Sequence, residues 1–179
     1  ELMEPASTTK IMTCILALEK GDLNDKVVIS NNPPLVGGSS IYLKSGDSLT
    51  LEEILYGMML NSGNDAATAV AEHIGGSTPE FVEMMNKKAK EIGAKDTKYA
   101  NPSGLPDEGH VTTAYDLALI SRYALLNFPD FQKIVSSKTM KIPGASENTH
   151  RLLENTNKLL WDYEGADGLK TGYTSTAGR

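Results

Sequence analysis

Near its N-terminus the sequence reads Pro5-Ala6-Ser7-Thr8-Thr9-Lys10-Ile11-Met12-Thr13. Apolar residues recur at intervals of three and four from Ile11 to Leu18, which predicts a helix from about residue 7 to residue 20 with one face buried. Residues three apart share a face of a helix, so Ser7 and Lys10 can meet side by side. A serine hydroxyl becomes a nucleophile when a neighbour accepts its proton. A lysine can accept it once burial or a second cation lowers the lysine pKa.

A second polar triplet, Ser62-Gly63-Asn64, lies at a predicted break between two apolar helices. The capping pattern Thr50-Leu51-Glu52-Glu53 predicts the start of the first helix, and the second is predicted over residues 65–73. A triplet at such a break can present its side chains from a rigid support. Its serine hydroxyl would pass a proton to a leaving group, and its asparagine amide would hold a substrate backbone. The Ser-x-Asn pattern also begins at Ser30 and Ser146, where we interpret it as a turn or cap.

The third element is Lys170-Thr171-Gly172, in a segment that predicts an edge strand over residues 169–175. One interpretation is a solvated lysine on that strand. In the other interpretation, Lys170 is the second cation that lowers the pKa of Lys10. Thr171 then binds a carboxylate, and Gly172 leaves room for a ligand along the strand. The backbone N–H groups of Ser7 and Tyr173 would then form an oxyanion hole.

Each element is weak alone, but their order along one chain is specific. The trio Ser-x-x-Lys, Ser-x-Asn and Lys-Thr-Gly is found in β-lactamases and penicillin-binding proteins. The flanking residues make the chain similar, essentially from end to end, to the D-alanyl-D-alanine carboxypeptidases among the low-molecular-mass penicillin-binding proteins. The segments that carry this resemblance are residues 5–13, 59–67, 101–105, 113–116 and 168–174.

The resemblance implies an α+β fold of the β-lactamase and penicillin-binding-protein type. We expect a helical subdomain and a partial antiparallel sheet whose outer strands are missing from this chain. Residues 1–179 would form one transpeptidase/carboxypeptidase-like catalytic domain, truncated at both ends. Strands are predicted near residues 26–30 and 140–142. Helices are predicted over residues 78–93, with Thr78 as N-cap, over 113–126, with a capping box from Thr113 to Asp116, and near Phe131.

The resemblance also implies roles for the site residues. Ser7 would attack the carbonyl between two D-alanines, with Lys10 as its general base, and Ser62 and Lys170 would pass a proton to the departing D-alanine. The substrate-binding residues would be Asn64, Thr171, Gly172 and Tyr173.

The implied partners are peptidoglycan stem peptides and β-lactam antibiotics, and no metal or organic cofactor is implied. We expect an extracytoplasmic protein of the cell envelope, associated with the membrane through a C-terminal segment absent here.

Composition narrows the classes of partner. Hydrophobic residues make up 40% and charged residues 22% of the chain, which suits an ordinary globular core. The formal net charge of -6 argues against a nucleic-acid partner. The histidines, His73, His110 and His150, match no metal-binding spacing. Cys14 lies in an apolar helical run, which favours a core position over a catalytic one.

Three alternatives remain at the level of the sequence. A class A-like β-lactamase would use the same acylation, but no Glu-x-x-Leu-Asn pattern is present for its water-activating glutamate. A serine-dependent glutaminase is a more distant rival on the same kind of scaffold. From a different class, the chain could be an inactive peptidoglycan-binding fragment, against which the intact Ser7, Lys10 and Lys170 speak. Slow hydrolysis of bound penicillin would favour the carboxypeptidase over the lactamase.

Overall fold

The computed structural model describes residues 1–144, 146 and 148–178. The helices are α1 (Lys10–Lys20), α2 (Leu51–Leu60), α3 (Asn64–Gly75), α4 (Thr78–Ile92), α5 (Ala114–Asn127), α6 (Pro129–Ser136) and α7 (Leu159–Asp162), with 3-10 turns at Ala6–Thr9 and Pro33–Leu35. The strands are β1 (Lys26–Val28), β2 (Ser48–Thr50), β3 (Thr139–Pro143) and β4 (His150–Glu154).

Helix α1 is the central element of the core. It contacts α2, α3, α4, α5 and α6, so little of its surface is left for solvent. Its interior residues Ile15 and Leu16 are at most 1% exposed, and burying such a side chain typically contributes about 2 kcal/mol. Cys14 is fully buried among them, and burial raises the pKa of its thiol. The core position predicted for Cys14 is therefore confirmed.

Two small antiparallel sheets flank the helices. Strand β1 pairs with β2 so that Val27 faces Leu49, and β3 pairs with β4 so that Lys141 faces Leu152. The helical subdomain and the small sheets together confirm the predicted α+β class. The sequence predicted β1, β3 and the long helices, but not β2, β4 or the short α7.

The strand predicted over residues 169–175 is wrong for the described structure. A strand exists through the hydrogen bonds of a ladder, and no neighbouring strand pairs with this segment in the described part of the chain. Its one pairing is an isolated bridge between Thr174 and Gly178, which closes a turn. The segment therefore forms no ladder in the described structure.

Two predicted helix caps need correction. The N-cap of α4 is Ser77, whose hydroxyl accepts the N–H of Glu80, and Thr78 is the first helical residue. At α5 only half of the predicted capping box forms: the Thr113 hydroxyl accepts the N–H of Asp116 at 3.1 Å. The Asp116 carboxylate instead accepts hydrogen bonds from the 96–97 segment, so it does not return to the N-cap. The capping box at Thr50 is confirmed.

Among the helices that the structure describes, none is both long and apolar enough to cross a membrane.

Candidate active site

Ser7 and Lys10 meet at the start of the central helix. Ser7 lies in the 3-10 turn Ala6–Thr9 rather than in the α-helix that the sequence predicted, and Lys10 is the first residue of α1. Side chains three apart are nearly eclipsed in 3-10 geometry, so the pair still meets. The Lys10 Nζ donates a hydrogen bond of 2.9 Å to Ser7 Oγ. The predicted side-by-side arrangement is confirmed.

Lys10 is fully buried and surrounded by oxygen atoms. Besides Ser7, its Nζ contacts Asn64 Oδ1 at 2.8 Å and the carbonyl oxygen of Ser103 at 2.6 Å. Burial lowers the pKa of Lys10 well below its ordinary value, and the charge of Lys170 lowers it further, while Asp65 opposes both. A lowered pKa favours the neutral amine, which is the form that can accept a proton.

The loop at Ser103 lies against the turn that carries Ser7. Gly104 has φ +88°, and a Cβ at that position would lie 1.8 Å from the carbonyl oxygen of Ala6. Only glycine tolerates both the backbone angle and this approach. Ala6 itself has φ +47°, an uncommon value for a non-glycine residue. The close contact of the two backbones places Ser103 beside Lys10 and fixes the turn that carries Ser7.

The Ser62-Gly63-Asn64 triplet links α2 and α3, as predicted. Ser62 has φ +61°, and in the described part of the chain its hydroxyl has no hydrogen-bond partner. Both ends of the Asn64 amide are engaged, because Oδ1 accepts from Lys10 and Nδ2 donates to the carbonyl of Gly37 at 2.8 Å. In this structure Asn64 therefore orients Lys10.

Asp65, in the first turn of α3, binds the loop over residues 39–43. Its carboxylate accepts hydrogen bonds from the Ser40 hydroxyl at 2.6 Å and from the backbone N–H groups of Ile41 and Leu43. The preceding carbonyl, that of Ser39, accepts the N–H of Asn64 at 2.7 Å. The loop over residues 39–43 is thus tied directly to the residues that hold Lys10.

The Lys-Thr-Gly segment passes on the other side of Ser7. A Cβ at Gly172 would lie 3.2 Å from both the Ser7 nitrogen and the Thr8 nitrogen, so only glycine fits this approach without displacement. The N–H groups of Ser7 and Tyr173 have no protein acceptor in the described structure. Lys170 is 9% exposed, its Nζ donates to the carbonyl of Thr171, and burial lowers the pKa of Lys170 to about 8.

A cleft of about 680 Å³ opens over these groups. Its described lining residues are Ser7, Ser39, Ser62, Thr156, Lys158, Thr171, Gly172 and Tyr173. Five of the eight predicted site residues line it, while Lys10, Asn64 and Lys170 lie buried behind it. The structure thus brings all eight together. No group of three or more histidine, cysteine, aspartate or glutamate side chains in the described residues is arranged to hold a metal ion.

Sequence reasoning missed several residues of the site. Ser39, Thr156 and Lys158 line the cleft, Ser103 accepts from Lys10, and Asp65 holds the adjoining loop. Ser103 could have been predicted as a site residue, because it lies in the segment 101–105 that carries part of the resemblance. The other contacts depend on chain packing that local patterns do not record.

Comparison with known proteins agrees with this geometry. The profile of the D-alanyl-D-alanine carboxypeptidase family matches residues 1–179. The chain belongs to this family. It is 46% identical to the D-alanyl-D-alanine carboxypeptidase DacF of Bacillus subtilis, over 99% of this chain and 46% of the relative. It is 37% identical to DacD of Escherichia coli, over 97% of this chain and 46% of the relative.

Solved structures of a D-alanyl-D-alanine carboxypeptidase and of a penicillin-binding protein share the fold. The enzyme from Mycobacterium tuberculosis superposes with a TM-score of 0.92 at 38% identity, covering 99% of this chain and 67% of that one. Penicillin binding protein 5 of Haemophilus influenzae gives a TM-score of 0.88 at 35% identity, covering 99% of this chain and 53% of that one. The predicted family and fold are confirmed. The chain spans about half the length of the curated relatives it matches.

Proposed function

We propose that the protein is a serine-type D-alanyl-D-alanine carboxypeptidase that removes the terminal D-alanine from peptidoglycan stem peptides through an acyl-Ser7 intermediate. The observation that carries this proposal is the buried Lys10, whose Nζ lies 2.9 Å from Ser7 Oγ at the base of an open cleft. Residues 1–179 would belong to one catalytic domain. The same serine would be acylated by β-lactam antibiotics.

The first step is proton transfer from Ser7 to Lys10. A neutral amine has two N–H donors and one lone pair. Asn64 Oδ1 and the Ser103 carbonyl can only accept hydrogen bonds, so they take the two donors. The lone pair then points at Ser7 Oγ and accepts its proton as the oxygen attacks the carbonyl carbon. The hydrogen bond between Lys10 Nζ and Ser7 Oγ reverses its direction, while both atoms stay close to their positions in the structure.

The later steps follow from the groups around the cleft. The oxyanion that forms on the attacked carbonyl would accept from the N–H groups of Ser7 and Tyr173. Ser62 and Lys170 would relay to the nitrogen of the departing D-alanine the proton that Lys10 took from Ser7, which returns Lys10 to the neutral amine. The peptide would be positioned directly by Thr171, Gly172 and Tyr173. Asn64 would contribute through its hydrogen bond with Lys10. Water then adds its hydroxyl to the acyl carbon and a proton to Ser7 Oγ, which releases the shortened peptide and regenerates the free serine.

The absence of a carboxylate in the cleft favours slow release of a bound β-lactam. The eight described residues of its lining include neither aspartate nor glutamate. A rapid β-lactamase needs a base to activate the hydrolytic water. We therefore expect a long-lived penicilloyl-enzyme, which separates the carboxypeptidase from the lactamase.

The proposed substrate class also indicates where the protein acts. Peptidoglycan peptides lie outside the cytoplasm, so we propose extracytoplasmic action in the cell envelope. Membrane association through a further C-terminal segment stays a prediction.

The test is the intact mass of the chain after incubation with benzylpenicillin. We expect addition of one penicilloyl group to the parent chain and to Ser45→Ala, whose serine is exposed and is not among the described lining residues of the cleft, and no addition to Ser7→Ala. A longer form of the protein is tested in parallel. Absence of the adduct from both forms, or its retention in Ser7→Ala, would contradict the mechanism.

A further inference from the structure

His110 is a buried polar residue close to the site, and the proposed mechanism does not use it. Both nitrogens of its ring are engaged: Nε2 lies 2.8 Å from Thr9 Oγ1, and Nδ1 accepts the N–H of Ala100 at 3.1 Å. Because Nδ1 is the acceptor, the proton of the neutral ring lies on Nε2 and is donated to Thr9. The ring therefore joins two segments of the chain, and we call this pair of hydrogen bonds the histidine link.

Each of the two joined segments also carries a group of the site. Thr9 is in the 3-10 turn that holds Ser7, and it directly precedes Lys10. Ala100 lies three residues before Ser103, whose carbonyl oxygen is 2.6 Å from the Lys10 ammonium. The histidine link thus connects the turn that carries the serine and the lysine with the loop that supplies one acceptor to that lysine.

The backbone that carries the ring is bonded to both segments as well. Val111 and Lys98 form an antiparallel β-bridge in which each N–H donates to the other carbonyl, at 3.0 and 2.8 Å. Thr112 and Met3 form a second β-bridge, with both hydrogen bonds at 2.9 Å. Residues 110–112 therefore lie between the chain that leads into the 3-10 turn and the chain that leads into the loop.

The histidine link is closely packed. A Cβ at Gly104 would lie 2.9 Å from Thr9 Oγ1, and the Tyr99 ring meets the imidazole edge-on with centroids 5.7 Å apart. Thr9 and His110 are both buried. A packed interior transmits a displacement to its neighbours because it has little free space to absorb it. Loss of the histidine link should therefore move the loop relative to the turn.

Such a movement would act on the orientation of Lys10. In the proposed mechanism, the neutral amine donates to Asn64 and Ser103, which leaves its lone pair directed at Ser7. If the carbonyl of Ser103 moves away, one donor loses its acceptor and the lone pair is no longer fixed. A misplacement of about 1 Å can slow a reaction by about a hundredfold, even when its cause lies away from the reacting atoms.

We infer that His110 is a positioning residue for acylation. It links Thr9 Oγ1 to the N–H of Ala100 and so fixes the loop relative to the turn. The carbonyl of Ser103 is thereby held at Lys10. This inference rests on the proposed function and adds to it a residue that acts through the base.

The test removes the two ends of the histidine link separately and together. His110→Phe keeps a ring but loses both hydrogen bonds. His110→Asn keeps an acceptor for Ala100, and His110→Gln keeps an N–H donor for Thr9. At the other end, Thr9→Val removes the hydroxyl at nearly constant volume, whereas Thr9→Ser retains it. His150→Gln, which replaces an exposed histidine on β4, is the matched control.

The rate of penicilloyl addition is followed by intact mass over a range of benzylpenicillin concentrations. The measurement uses the form of the protein that gives the adduct. Its concentration dependence separates the limiting rate of acylation from the concentration at half-saturation. Urea unfolding under the same conditions establishes that each variant is folded. If His110→Phe does not fold, Thr9→Val, which loses one hydroxyl, decides the outcome.

We expect the limiting rate to fall about tenfold or more in His110→Phe and Thr9→Val, because the amine is misdirected. The concentration at half-saturation should stay at the parental value, since an interaction felt only in the transition state lowers the rate alone. His110→Asn and His110→Gln should be as slow as His110→Phe, because the link needs both ends. Thr9→Ser and His150→Gln should react at the parental rate, and the double variant Thr9→Val/His110→Phe should be no slower than either single variant.

Three results would overturn the role of His110 and leave the proposed function intact. The first is a parental limiting rate in the folded variants His110→Phe and Thr9→Val. The second is a set of losses that multiply in the double variant, which would mean that the two residues act independently. The third is a change confined to the concentration at half-saturation. Failure of the parent to react in any form overturns the proposed function itself.

Discussion

His110 is buried in its neutral form, so mild acid should destabilise the fold through this one side chain. It is 1% exposed, its Nδ1 accepts the N–H of Ala100 at 3.1 Å, and its Nε2 lies 2.8 Å from Thr9 Oγ1. Since Nδ1 is the acceptor, the proton of the neutral ring is on Nε2 and is donated to Thr9. Protonation would set an Nδ1–H against the N–H of Ala100, and the charge would be buried.

The magnitude follows from the pKa of the ring. Burial lowers the pKa of His110 from 6.5 to about 4, and Asp107 and Glu4 oppose this only in part. A lowered pKa means that the unfolded chain binds the proton more readily, so stability is complete above about pH 6.5 and is lost as the pH falls toward 4. At about 1.4 kcal/mol per pH unit, the full loss is about 3 kcal/mol, of which about 2 kcal/mol is gone at pH 5.

Urea unfolding followed by circular dichroism at pH 7.5, 6 and 5 measures this loss. The variant His110→Gln keeps an N–H donor for Thr9 but does not titrate, so its free energy of unfolding should change with pH by about 2 kcal/mol less than that of the parent chain over this range. His150→Gln, which replaces an exposed histidine on β4, should keep the parental pH dependence. Parallel curves for the parent and His110→Gln would refute the reasoning.

Two further changes probe the site itself. Gly104→Ala places a Cβ against the Ala6 carbonyl at a φ of +88°. We therefore expect the free energy of unfolding in urea to fall by more than about 2 kcal/mol and penicilloyl addition to be slower. A parental free energy of unfolding would contradict the close contact. Lys170→Met removes the cation that helps to lower the pKa of Lys10. The neutral amine of Lys10 then forms only at higher pH, so the rising limb of the acylation rate against pH should shift to higher pH. A limb at the parental pH would show that Lys170 does not lower the pKa of Lys10.

Local signals predicted most of the helical scaffold. The periodicity of residues 11–18 and the capping box at Thr50 act over a few residues, so the sequence displays them directly. The pairing of Ser7 with Lys10 was predictable for the same reason, since both helical geometries bring residues three apart together.

The rest of the site depends on contacts between distant parts of the chain. Nothing near Asn64 in the sequence indicates that its amide is divided between Lys10 and Gly37, 54 and 27 residues away. Lys158 lines the cleft beside two buried asparagines, whose amides bond to carbonyls of distant segments. The segment at residues 169–175 has the composition of a strand, but composition does not supply the neighbouring strand that a ladder requires.

Strained backbone is concentrated around the site. Four non-glycine residues in the described structure have positive φ, and three of them lie at the site. Ala6 precedes Ser7, Tyr42 lies in the loop held by Asp65, and Ser62 lines the cleft. Each such conformation costs about 1 kcal/mol or more and persists only where surrounding contacts over-determine it. At Ala6 that contact is the backbone of Gly104, and beside Tyr42 it is the Asp65 carboxylate. The same contacts place Ser103 and Asn64 at Lys10, so the energy that holds the strained turns also holds Lys10 against Ser7.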